Sequence, residues 1–160
     1  MANPAWAYAK CSICDAPLLA SISAPAIARC STFPAQSLSN IAWAFSSSSL
    51  YHAPLFESIA SSALPLIQEL SAQDIGNLAW AFAKRDVCNW PLFSALASAA
   101  ISRIGDLNPQ NLTNMAWSCA SIVYMHAPLI ESIAAASLNL ISEYVPQNLS
   151  NTAWALSTLL

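Results

Sequence analysis

The stretch Asn40-Ile41-Ala42-Trp43-Ala44-Phe45, here called the Trp box, recurs through the chain. Variant copies occupy residues 77–82, 114–119 and 151–156, and residues 3–8 hold a first copy. The tryptophans of the five boxes are Trp6, Trp43, Trp80, Trp117 and Trp154, so every interval is 37 residues. A glutamine recurs with the same step at 36, 73, 110 and 147, and a Pro-Leu pair at 17, 54, 91 and 128. A fixed period of roughly 20–50 residues is typical of a solenoid.

The composition favours buried helices over a disordered chain or a membrane span. Hydrophobic residues make up 56% of the 160 residues and charged residues 8%, a balance too apolar for disorder. Ser, Asn, Gln or Glu interrupts each apolar tract within about a dozen residues, short of the ~20 that a spanning helix needs. We therefore predict an all-α protein whose helices bury more than one face, without membrane insertion.

Each repeat unit predicts two helices, called helix A and helix B. Helix A carries the Trp box, and its turn of about 100° per residue places the apolar side chains on one stripe and the polar ones opposite. In the first complete unit the apolar stripe is Leu38, Ile41, Ala42 and Phe45, and the opposite side is Gln36, Asn40, Trp43 and Ser47. Helix B is predicted from about Pro54 to Leu70, with a local kink at Pro65.

A polar side chain stands two residues before each Pro-Leu pair, at Asp15, His52, Asn89 and His126. We interpret these residues as N-caps of helix B, because a polar atom at that position accepts a hydrogen bond from a free backbone N–H. Ser71, with Asp74 three residues later, predicts a similar cap at the start of one helix A.

The sequence predicts neither an enzyme nor a metal or cofactor site. Cys11-x-x-Cys14 resembles half of a zinc site, but no second pair completes it, and we interpret the five cysteines as small buried hydrophobes. The two histidines lie two repeats apart and form no ligand cluster. Two glycines cannot build a glycine-rich phosphate loop, and no His–carboxylate–nucleophile arrangement occurs.

The units form one predicted α-solenoid over residues 1–160. A partial helix A at 1–12 is followed by helix pairs at about 16–48, 53–85, 90–123 and 127–160. The chain starts and stops inside a unit, without the polar capping repeats that solenoids need for solubility. We therefore expect a fragment of a longer array.

These repeats resemble the octotricopeptide and heptatricopeptide repeat proteins, which are related to the FAST-kinase-like proteins of organelles. The resemblance covers the whole chain and depends on the Asn-x-Ala-Trp sequences at 40–43, 77–80, 114–117 and 151–154, and the 37-residue step fits the heptatricopeptide form. It implies an α-solenoid that binds single-stranded RNA and acts in RNA processing, stability or translation in mitochondria or chloroplasts. Members often end in a RAP domain, and nothing in this chain matches one.

The polar side of helix A is the candidate RNA surface, because other helical repeats read about one base per repeat with two or three side chains. The candidate contacts are the recurring Asn40, Asn77, Asn114 and Asn151, and the column seven residues later, which includes Lys10, Ser47, Lys84 and Ser121. Alternatively, the asparagines bind the backbone of the neighbouring repeat. We interpret the box tryptophans as the structural repeat core, with base stacking as the alternative.

A protein- or peptide-binding scaffold is the alternative function. The net charge is −3, whereas nucleic-acid-binding proteins usually carry a basic stripe. Solenoids of any composition present concave surfaces that also suit proteins.

Overall fold

The structure is a computed structural model that describes residues 16–48 and 51–159. The predicted partial helix A at 1–12, and with it Trp6 and Lys10, lies outside the described residues. So do Asp15 and the Cys11–Cys14 pair.

Eight α-helices account for most of the described residues, and these residues include no β-strand, so the all-α class is confirmed. The helices are α1 (Ala16–Arg29), α2 (Ala35–Ser47), α3 (Ala53–Ala63), α4 (Ala72–Ala83), α5 (Trp90–Ser102), α6 (Pro109–Ser121), α7 (Ala127–Asn139) and α8 (Pro146–Leu159). The even-numbered helices contain the Trp boxes, and the odd-numbered helices begin at the Pro-Leu pairs.

The α-helical part of helix B is shorter than predicted. Helix α3 ends at Ala63 and is followed by a 3-10 turn at Leu64–Leu66, instead of continuing to Leu70. Pro65 has no N–H to donate to the preceding turn. The same 3-10 turn occurs without proline at Ile104–Asp106 and Ile141–Glu143. Proline is therefore not required to end the α-helix at this point, where the chain turns toward the next Trp-box helix. By contrast, α1 continues through Pro25.

The predicted N-caps are confirmed wherever the structure describes them. His52 Nδ1, Asn89 Oδ1 and His126 Nδ1 accept hydrogen bonds from backbone N–H groups three residues later, at 3.3, 3.0 and 3.2 Å. Ser71 and Asp74 form a reciprocal capping box at the start of α4. These side chains satisfy donors that a helix start leaves without intrahelical partners.

The helices form two layers with an apolar core between them. The most extensive contacts join consecutive even-numbered helices, α2 with α4, α4 with α6 and α6 with α8. Phe45, Phe56, Phe82 and Phe93 are fully buried, and the rings of Phe56 and Phe82 meet edge to face at 5.0 Å. The predicted apolar stripe of helix A, from Leu38 to Phe45, is buried as expected.

Small residues let the even-numbered helices approach closely. A Cβ atom on Gly76 of α4 would lie 3.3 Å from Asn111 Cα of α6, which is tighter than most such contacts. Ser46 of α2 donates a buried hydrogen bond of 2.6 Å to the carbonyl of Ala81 in α4. The hydroxyls of Thr113 and Thr152 are 3.1 Å apart between α6 and α8.

Two arginines connect one repeat to the carbonyls of the preceding one. Arg85 Nη2 donates to the carbonyls of Phe45 (3.1 Å), Ser46 (2.9 Å) and Ser48 at the C-terminal end of α2. Arg103 donates to the carbonyls of Leu70 and Ile67. Cations are favoured at helix C-termini, where the last carbonyls lack intrahelical partners. The sequence carries no signal of this role, because the acceptors are backbone carbonyls. Arg85 occurs at its position in one repeat, and Arg103 shares its position with Arg29.

Arg85→Met should lower the free energy of unfolding by about 2–3 kcal/mol, since hydrogen bonds to charged groups are worth roughly that much and the partly buried carbonyls lose their donor. Urea unfolding followed by circular dichroism measures the change. Arg29→Met is the matched control, because Arg29 is exposed on α1 and should tolerate the change within about 0.5 kcal/mol. Equal stability of the two variants would contradict the connecting role of Arg85.

A left-handed residue ends two of the Trp-box helices at equivalent positions. Asp86 has φ 53° and Val123 has φ 56°. The N–H of the next residue then bonds back across the turn, from Val87 to Phe82 O at 3.0 Å and from Tyr124 to Cys119 O at 2.8 Å. This is the helix-ending arrangement in which glycine or asparagine is usual. A β-branched valine is strained in it.

Val123→Asn should raise the free energy of unfolding by about 1 kcal/mol, because asparagine tolerates the left-handed region better than valine. Val123 is 76% exposed, so little packing is lost. Met125→Asn, also on the exposed side of this turn, is the control and should not stabilise. An unchanged or lower urea midpoint for Val123→Asn would show that the turn is not strained.

The cysteines divide into buried and exposed thiols. Cys30 and Cys119 are buried, and burial raises the pKa of both, that of Cys119 to about 12. Cys88 lies in the exposed turn between α4 and α5, so the prediction of a buried cysteine is wrong there. In the described ranges, no set of three or more His, Cys, Asp or Glu side chains is grouped to hold a metal ion. None of the helices described has the length and apolarity for crossing a membrane.

Candidate functional site

The outer side of the even-numbered helices repeats one four-residue pattern, here called the amide–indole face. A glutamine is followed by an asparagine four residues later, a tryptophan after three more, and a variable residue after another four, which is one face of a helix. The four rows are Gln36-Asn40-Trp43-Ser47, Gln73-Asn77-Trp80-Lys84, Gln110-Asn114-Trp117-Ser121 and Gln147-Asn151-Trp154-Thr158.

A cleft of about 360 Å³ opens on this face. Its lining comes from all four even-numbered helices and consists of Trp43, Trp80, Trp117, Gln110, Asn114, Gln147 and Asn151. Because four successive helices contribute to one cleft, the amide–indole face is concave there. The lining contains indoles and carboxamides and no charged side chain.

The box tryptophans lie at the border between the core and this cleft. Trp80 and Trp117 are half-buried and pack against the core with one side. Trp43 is half-buried as well, and its ring stacks on that of Trp80 with centroids 6.4 Å apart and planes at 29°. The prediction placed these residues in the repeat core, but their position in the helix turns them toward the concave face. Packing and solvent access are therefore combined in one side chain.

Trp154 departs furthest from the predicted core position, because it is 46% exposed. It lies on α8, which packs against α6 and has no later helix beside it in the described part of the chain.

The asparagines of the face do not bind the backbone of a neighbouring repeat in the described residues. All four are half-buried. Asn114 Oδ1 accepts from Gln110 Nε2 of its own helix at 2.8 Å, and Gln110 Oε1 accepts from Asn148 Nδ2 at 3.4 Å. The alternative role that the sequence left open for this column, a bond to the next repeat's backbone, is therefore not observed.

The variable column contains one basic side chain among the described residues. Ser47 and Lys84 are exposed, whereas the Oγ of Ser121 is buried without a hydrogen-bond partner. Lys84 Nζ lies 4.5 Å from the centroid of the Trp80 ring, a cation–π arrangement. Desolvation lowers the pKa of Lys84, and the nearby charge of Arg85 lowers it further.

Two features of this surface were not assigned from the sequence. Gln110 and Gln147 line the cleft, whereas the sequence placed the glutamine column on the polar side of helix A without assigning it as a contact; the spacing four residues before the asparagines was the available signal. A second, apolar groove lies between α7 and α8. Its lining includes Leu138, Ile141 and Leu149.

Trp80→Ala should lower the free energy of unfolding by roughly 2 kcal/mol, about half the cost of removing a fully buried aromatic side chain. Trp154→Ala removes the same side chain from the equivalent position of α8, where it is exposed. This change should lower the free energy of unfolding by less than about 1 kcal/mol. Thermal unfolding of both variants gives the comparison. If Trp154→Ala were the more damaging change, the packing of Trp80 on the core would not be the reason for its cost.

A comparison with protein families matches residues 6–160 to the family described as "RNA-editing substrate-binding complex 6 protein". No curated protein matches the chain. The family match spans all eight helices and the whole amide–indole face. The chain therefore belongs to the RNA-editing substrate-binding complex 6 protein family.

Proposed function

We propose that this chain is an α-solenoid of 37-residue helix pairs that binds single-stranded RNA along the amide–indole face. The observation that carries the proposal is the family match over residues 6–160, because the family is described as part of a complex that binds the substrate of RNA editing. The role proposed is binding and not catalysis.

The arrangement of the helices supports the solenoid. Each Trp-box helix makes its main contacts with the Trp-box helices one unit before and after it, α2 with α4, α4 with α6 and α6 with α8. The contacts between repeats, such as Ser46 with Ala81 and Thr113 with Thr152, join residues 35 and 39 positions apart. Such nearest-neighbour packing is what stacked repeats require.

The side chains of the amide–indole face support RNA binding. Single-stranded RNA is recognised by stacking of bases on aromatic side chains and by hydrogen bonds to base edges. The cleft supplies indoles for the first and carboxamides for the second. Lys84 supplies a cation at the border of the face, where a phosphate can reach it.

The resemblance to heptatricopeptide repeat proteins extends this proposal to the setting of the protein. Those proteins act on organellar RNA, so we place this chain in RNA processing, stability or translation within a mitochondrion or chloroplast. The family description narrows the process to RNA editing.

A scaffold that binds a protein is the second candidate. The net charge of −3 and the apolar groove between α7 and α8 favour it. The two functions are compatible within a complex, but they predict different responses to salt.

Lys84→Glu should weaken the binding of a fluorescein-labelled single-stranded RNA of mixed sequence and reduce the salt dependence by roughly one phosphate contact. Fluorescence anisotropy at several salt concentrations measures both quantities. Arg29→Glu is the control, since it makes a similar charge change on exposed α1, in the other layer.

The result that overturns the proposal is the absence of salt-sensitive RNA binding by the full chain. A loss of binding in Arg29→Glu as large as that in Lys84→Glu would instead move the RNA site away from the amide–indole face. The protein-scaffold function would be favoured in the first case.

A further inference from the structure

The cleft of the amide–indole face has the size of a small-molecule binding site. Its volume of about 360 Å³ lies in the range of small-molecule sites, roughly 300–1,000 Å³. Every lining residue is a tryptophan, glutamine or asparagine. A planar, uncharged group with hydrogen-bonding edges is the ligand that such a lining fits.

The tryptophans of the cleft are not equivalent. Trp43 and Trp80 already stack on each other. Trp117 lines the same cleft but makes no ring contact with another aromatic side chain of the described residues. Its indole is therefore available to a planar ring. Stacking of a base on an aromatic side chain strengthens binding whatever the base is.

The carboxamides of the cleft are also unequally occupied. Gln110 uses both ends of its amide, on Asn114 and Asn148. Gln147 and Asn151 form no side-chain hydrogen bond to the described residues, and Asn151 is half-buried. A carboxamide with a free acceptor and a free donor side by side is suited to a bidentate pair with a base edge.

The absence of charge from the lining selects among the bases. Guanine is commonly matched by Arg or Lys, which the lining lacks, and adenine by Asn or Gln, which accepts from N6 and donates to a ring nitrogen. Cytosine and uracil also offer a carboxamide one donor beside one acceptor, but their single rings cover less of an indole than the double ring of a purine. Adenine satisfies both the amides and the aromatic surface.

We infer that this cleft is a binding site for one adenine base of single-stranded RNA, stacked on Trp117 and paired by the amide of Asn151, with Gln147 beside it. The inference rests on the proposed RNA-binding function and adds a base preference to it. Recognition then combines one base-specific repeat junction with base-independent contacts elsewhere on the face.

The test compares labelled oligoadenylate, oligouridylate and oligocytidylate of equal length by anisotropy with the full chain. Oligoadenylate should bind roughly tenfold more tightly than oligouridylate or oligocytidylate, since its double ring stacks over a larger area of the Trp117 indole and stacking contributes about that factor or more per base. Trp117→Leu should bring this ratio close to one, Asn151→Ala should weaken the binding of oligoadenylate, and neither should change the salt slope. Asn139→Ala, an exposed position at the end of α7, is the matched control and should keep the ratio.

Asn151→Asp guards against a folding artefact, because the side chain keeps its shape. A carboxylate accepts from an amino group but cannot donate to the ring nitrogen beside it, so this variant should weaken the binding of oligoadenylate as Asn151→Ala does. Saturable quenching of tryptophan emission by oligoadenylate, reduced in Trp117→Leu, reports the stacking. Thermal unfolding of each variant shows that its fold is intact.

Two outcomes separate this inference from the proposed function. Salt-sensitive binding that is equal for all three oligonucleotides, or a preference that survives Trp117→Leu, overturns the adenine site and leaves RNA binding standing. Absence of salt-sensitive binding to any of them overturns both.

Discussion

The close approach of successive Trp-box helices is the constraint on which the described structure depends. It requires small side chains at the contact, and Ala42, Ala79 and Ala116 are each fully buried there. At Gly76 even one methyl group would press on Asn111 of the next helix. Once these helices are in contact, the larger side chains of the Trp boxes can point only into the apolar core on one side or toward solvent on the other. Burial of the phenylalanines and exposure of the amide–indole face follow from that single arrangement.

The same packing determines where charge can act. Arg85 and Arg103 are bound to backbone carbonyls of a preceding repeat, and Arg29 lies in the other layer. Within residues 16–48 and 51–159, Lys84 is therefore the one basic side chain of the concave face. Affinity for a polyanion from each repeat is then small, and it must accumulate over several repeats or come from stacking and amide contacts. A face with few cations has lower affinity for a nucleic acid but a larger share of base-specific contacts, because neutral hydrogen-bonding groups distinguish bases and phosphate contacts do not.

Periodicity alone was sufficient to predict the helices, their caps and the buried stripe, because these features depend on side-chain pattern within one unit. His52, Asn89 and His126 cap as predicted for that reason. Features that depend on the next unit were not predictable. The interhelical reach of Arg85 is one, and the orientation of Trp80 at the edge of the core is another. The left-handed conformation of Val123 was missed because valine carries no sequence signal for it. Of the candidate site, the asparagine and tryptophan columns were identified, but the cleft that joins them required the packing angle between helices.

The helices of the two layers differ in how closely they approach one another. Trp-box helices meet through Gly, Ala, Ser and Thr, whereas the odd-numbered helices contact one another less extensively. The spacing of the Trp-box helices is set by side-chain volumes beneath the surface, such as the missing methyl group of Gly76. Residues beneath the cleft thus set the spacing between Trp80 and Trp117. Substitutions there can change the width of the cleft without altering any group that lines it.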